Sequence, residues 1–132
     1  MATIKLHTDL PQSKKLAEIL PLENADMYWR SLNINGHISW SSHIKRLEPP
    51  IYDLKHYIPC WSLSALISII PQELFDGEYI INITEGKNYK WIITYDHYVN
   101  REHSHYGLSS SADNLVDACT DIIIKLKERN II

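Results

Sequence analysis

"EYIINITEGKNYKWIITYD", residues 78–96, is the stretch that decides the fold. Tyr79, Ile81 and Ile83 occupy alternate positions, then Tyr89, Trp91, Ile93 and Tyr95 do the same after a polar interruption. A period of two sends successive side chains to opposite faces, which is the signature of a strand with one buried face. The interruption, Glu85-Gly86-Lys87-Asn88, is short and polar, with Gly86 free to take positive φ. The pattern predicts an antiparallel hairpin. After a loop from His97 to Asn100, "REHSHYG" adds a third strand.

Helices flank this hairpin. Downstream, "SSSADNLVDACTDIIIKLKERN" places Leu115, Val116, Cys119, Ile122, Ile123 and Leu126 on one helical face. Ser110 or Ser111 can cap its start, with Asp113 in the first turn. Asp117 and Asp121 lie early, and Lys125, Lys127 and Arg129 lie late, the order that complements the helix dipole. Asp121 can pair with Lys125 one turn on. Upstream, "YIPCWSLSALISIIP" (57–71) reads as a helix, with Pro59 in its first turn and Pro71 ending it. Leu63, Leu66, Ile67 and Ile70 gather on one side of it, and Ser64 and Ser68 on the other.

The N-terminal half repeats both themes. "PQSKKLAEIL" is a short helix bracketed by Pro11 and Pro21. "DMYWR" and "HISWSSHI" suit strands joined at Asn35-Gly36, and "RLEPPIYDLKHY" reads as an extended connection. The expectation is therefore an α+β fold, an antiparallel sheet of about three to five strands packed against two main helices. At 132 residues, one globular domain spanning 1–132 is expected.

Composition bounds the function. The chain is 45% hydrophobic and 22% charged, with a net charge of −3 and scattered basic residues, so duplex nucleic acid is not an expected partner. Its longest apolar run is too short to cross a bilayer, and no signal peptide is readable. Its two cysteines, Cys60 and Cys119, have neither disulfide-framework nor zinc spacing. A cytoplasmic protein with reduced thiols is expected.

The segments "ADMYW", "YIPCWSLSALISIIP" and "SADNLVDACTDIIIKLKE" together resemble a family of small uncharacterised proteins from Bacteroides-type bacteria, often encoded in prophage or mobile-element neighbourhoods. The resemblance touches most of the chain, most strongly residues 57–71 and 110–128. It implies a bacterial intracellular setting and carries over no catalytic residue.

Three groups of residues could bear chemistry. Cys60, at the start of the expected helix, could be a low-pKa thiol with His56 as its base, although Ile58 and Trp61 beside it point to burial. Asp96, His97, His103 and His105 are the densest cluster of metal-capable side chains; in an extended segment His103 and His105 share a face. Trp29, Trp40, Tyr57, Tyr95 and Tyr98, with Lys45, Arg46 and Arg101, could stack a single strand, but aromatics on strands ordinarily pack a sheet. The chain also leaves Ile124 on the polar side of its last helix and ends in Ile131 and Ile132, a patch on which a homodimer is expected. No cofactor is expected. The leading expectation is a non-enzymatic binding or adaptor module with a protein partner. The alternative is a metal-dependent hydrolase using the Asp96–His105 region.

Overall fold

The computed structural model describes residues 4–44, 56–99 and 102–132, with side chains described for all of these except 89, 98, 99 and 102–105. The fold is α+β, with three α-helices and two antiparallel sheets of three and four strands among the described residues. The expected single sheet is thus two sheets. The chain divides into two compact units, Leu6–Ala65 and Leu66–Ile132, the latter joined by the N-terminal residues up to Lys5.

In Leu6–Ala65, α1 (Leu10–Ile19) begins with a reciprocal cap. The Asp9 carboxylate accepts from the Gln12 N–H (2.9 Å), and the Gln12 side chain accepts from the Asp9 N–H (3.0 Å). β1 (Met27–Ile34) and β2 (His37–Ile44) form the expected hairpin, and Asn35 and Gly36 both have positive φ, as a two-residue turn demands. β3 (Tyr57–Cys60) pairs with the first half of β1, giving the order β2-β1-β3.

β3 corrects the helix expected over 57–71. Its first four residues are strand, and the helix proper, α2, is Leu63–Ile69. Pro59 is tolerated because β3 is an edge strand and needs no N–H there. Ser62 starts the helix instead: its hydroxyl accepts from the Ala65 N–H (3.2 Å), while Asp26 accepts from both the N–H and the hydroxyl of Ser62. Leu66 and Ile70 are buried as expected, but Ile67 is exposed.

In the second unit the sheet order is β4 (Glu73–Leu74), β5 (Tyr79–Glu85), β6 (Trp91–Val99), β7 (Glu102–Ala112). The β5–β6 connection places Asn88, not Gly86, in the left-handed region; Gly86 has φ −84°. A Cβ at Gly86 would instead meet Ile92 Cδ1 at 2.8 Å. α3 (Leu115–Glu128) packs on β6 and β7, burying Val116, Cys119, Ile122, Ile123 and Leu126 with Ile93, Tyr95 and Leu108.

The cap of α3 is Asn114, whose side chain accepts from the Asp117 N–H at 2.8 Å. Ser110 and Ser111 belong to β7, and buried Ser110 donates to the Ala118 carbonyl (2.8 Å). Asp121 and Lys125 pair at 3.0 Å as expected. The far end closes in a Schellman motif. Asn130 is left-handed (φ 56°), its N–H donates to Lys127 O (3.0 Å), and the Ile131 N–H donates to Leu126 O (2.9 Å). No helix among the described residues is long and apolar enough to cross a membrane.

Candidate functional site

Cys60 lies at the end of β3, fully buried. Its thiol donates toward Thr8 O (3.5 Å) and lies 3.6 Å from Thr8 Oγ1, which also bonds Ser13 Oγ at 2.7 Å. Trp29 Nε1 donates to the same Ser13 oxygen (3.1 Å), and the Trp61 N–H donates to Thr8 Oγ1 (3.1 Å). Desolvation raises the thiol's pKa, outweighing the hydrogen bonds from Thr8 and Ser13 that lower it, and the Asp26 charge raises it further. His56 is elsewhere engaged: its Nδ1 faces Ser31 Oγ at 3.3 Å, and the thiol's polar neighbours are Thr8 and Ser13. Cys60 and His56 are not brought together as nucleophile and base.

Sequence reasoning did not find the contact between His7 and Ser42, which are 35 residues apart. His7 Nδ1 donates to Thr8 O at 2.9 Å, and its Nε2 lies 3.2 Å from Ser42 Oγ. The imidazole stands edge-on to Trp29, with ring centroids 5.3 Å apart. The pair ties the N-terminal segment to the sheet face that also meets α1.

Asp96 and His97 are adjacent on β6 and point to opposite faces. Asp96, 1% exposed, accepts from Asn82 Nδ2 at 3.0 Å, whereas the His97 ring packs against Tyr79 at 5.2 Å. The β6–β7 register sets His105 opposite Asp96 and His103 opposite Tyr98. The side chains of both histidines lie outside the described residues, among which no group of three metal-capable side chains converges. Ile124, Ile131 and Ile132 are each half-buried. Of the stacking candidates, Tyr95 is fully buried with its hydroxyl donating to Pro71 O (2.6 Å), and Trp29 is held by Ser13. The Tyr98 side chain and Lys45, Arg46 and Arg101 fall outside the described residues.

A cleft of 520 Å³ opens beside the C-terminal end of α3, with Glu73, Phe75, Tyr106 and Arg129 in its walls. Phe75 stands edge-on to Tyr79 (6.0 Å) and Tyr106 (5.4 Å), Tyr79 meets Tyr106 (5.2 Å), and His97 extends the cluster through Tyr79. The Arg129 guanidinium lies 5.6 Å over Tyr106 and donates to Gly107 O at 2.8 Å. Phe75 and Asp76 have φ of 54° and 57°, a backbone state uncommon for a bulky residue. In the sequence only "FDG" signals this turn, and nothing local shows that Phe75 and Tyr79 would join Tyr106 and His97 from later strands. Comparison of the chain with family models, curated proteins and solved structures gave no match.

Proposed function

We propose that this chain is a non-catalytic binding module that takes an apolar-anchored segment of a protein partner in the cleft beside α3. The observation that carries this reading is the ring cluster at the cleft. Phe75 remains 53% exposed although three other rings lie within packing distance of it or of each other. An exposed phenylalanine and a half-buried tyrosine beside an arginine resemble the composition of interface hot spots, and the cleft volume lies within the range of binding pockets. Glu73 and Arg129 give its walls opposite charges, suited to orienting the flanking polar groups of a peptide. The buried thiols support the same reading, because the chain's strongest nucleophiles are kept protonated and away from solvent. A bacterial, intracellular, mobile-element setting belongs to this proposal through the family resemblance.

Selection of displayed peptides on the folded protein tests it. Recovered peptides should share an apolar anchor and lose about tenfold or more in affinity against Tyr106→Ser. Leu32→Ser, in the other unit, should leave them unaffected. Peptides without a shared anchor, or indifferent to Tyr106→Ser and Phe75→Ser, overturn the proposal. Stoichiometric zinc in the purified protein would favour the metal-dependent hydrolase instead.

A further inference from the structure

One face of the three-stranded sheet meets α1, and the other carries the exposed Arg30 and His43 and the half-buried Tyr28 and Tyr57. Trp29, Ile58 and Cys60 share the face that meets α1, where Trp29 and Ser42 reach Ser13 and His7. Strand alternation puts Tyr28, Arg30, His43 and Tyr57 on the opposite face. The register makes them neighbours: Tyr28 is opposite His43 and Pro59, and Arg30 is opposite Ser41 and Tyr57. Their rings form one cluster, in which Tyr28 and Tyr57 are tilted 58° to each other. Tyr28 stacks on His43 (5.3 Å, 20° between planes) and meets Tyr57 at 5.8 Å, and Arg30 lies 6.0 Å over the Tyr57 ring. Beside the cluster is a cavity of 780 Å³ lined by Tyr28, Arg30, Ser42, His43 and Ile44.

The charge of this sheet departs from that of the chain. No residue of β1, β2 or β3 is acidic, although the protein carries a net charge of −3. Arg30 is exposed and forms no ion pair among the described residues. A cluster of rings with an exposed guanidinium over one of them, and no carboxylate on the three described strands, fits a ligand that carries both planar rings and negative charge. We propose that this face binds single-stranded nucleic acid, bases stacking on Tyr28, Tyr57 and His43 while Arg30 meets a phosphate. A duplex hides its base faces and needs a longer row of cations than this sheet provides.

Fluorescence anisotropy with a labelled oligothymidylate of about twelve nucleotides, titrated from about 50 mM salt upward, tests this. The parent should bind, less tightly as salt rises. Arg30→Gln should weaken binding and reduce the log–log salt slope by about 0.7, the value for one phosphate contact on a single strand. Tyr57→Leu should weaken it by about tenfold. Arg30 and His43 are exposed, so Arg30→Gln and His43→Gln keep the test sound even where Tyr57→Leu fails to fold. Phe75→Ser, in the cleft of the other unit, should leave oligonucleotide binding unchanged, which separates this proposal from the peptide site. Absent binding overturns the proposal. So does equal affinity for a duplex or for heparin, or affinity untouched by Arg30→Gln and His43→Gln. A face that takes a protein segment instead would leave the oligonucleotide unbound, and the proposal would fall in the same way.

Discussion

At Cys60 the hydroxyls of Thr8 and Ser13 favour the thiolate and burial opposes it, with burial the larger influence. Burial alone pushes Cys119 and Tyr95 up to about 12 from 9.0 and 10.0. Two consequences can be measured. Thiol reagents at neutral pH should label neither cysteine in the native protein and both in denaturant; fast labelling of native Cys60 below pH 7 would restore it as a nucleophile. Stability should also fall as pH rises. These acids have raised folded pKa values, so above about pH 9 the unfolded chain loses protons that the native state retains, and unfolding becomes more favourable up to about pH 12. The urea midpoint should therefore drop across that window, and Cys119→Ala should flatten part of the slope. The burial of Cys60 was legible from Ile58 and Trp61 beside it in sequence. Phe75 was not, because no propensity places a bulky aromatic in the left-handed region, and only the ring partners brought by β5 and β7 identify its role.

Among the elements, α3 follows its hydrophobic period most closely. Ile122 is fully buried, so Ile122→Ala should cost about 2–4 kcal/mol in chemical denaturation through lost transfer energy and a residual cavity. Leu115 is only half-buried, and Thr120, on the polar flank of the wheel, is buried because its hydroxyl donates back to Val116 O at 2.9 Å. The closing motif supplies a second test. Asn130→Gly should raise the melting temperature slightly, and Asn130→Ala should cost about 1 kcal/mol, since alanine resists the left-handed backbone there. Both hairpins were legible from alternation and turn chemistry. Two boundaries were not. A serine run looks like a cap, yet Ser110 faces inward and Ser109 and Ser111 outward as strand residues. A proline before an apolar run looks like a first helical turn, yet Pro59 sits on an edge strand whose partner, β1, lies some thirty residues earlier.

For the molecule as a whole, the α+β class followed from element types, which are local properties. The partition of the described strands into two sheets did not, because pairing such as β1 with β3 is non-local and a short strand carries little periodic signal. Association was also expected from end-of-chain residues alone. Ile131, however, is engaged within its own chain. Its N–H closes α3, at the position where this motif commonly carries an apolar side chain. Ile124 and Ile132 are likewise half-buried, leaving a reduced surface for a second copy. Light scattering should accordingly return the mass of one chain, 15.4 kDa, for the parent and for Ile124→Lys. A parent of twice that mass, reduced to one chain by the lysine, would establish the homodimer instead.

The far half of the β1–β2 hairpin carries Leu32, Ile34 and Ile38, all exposed. Among the described residues β2 is the outer strand of its sheet, and it contains no lysine, no acid and no proline, the residues that ordinarily blunt a sheet edge. The absence of carboxylates from these strands leaves the edge poorly defended against another copy of itself. Edge-to-edge pairing through β2 is therefore the expected route of self-association at high protein concentration, and a lysine placed on that strand should suppress it.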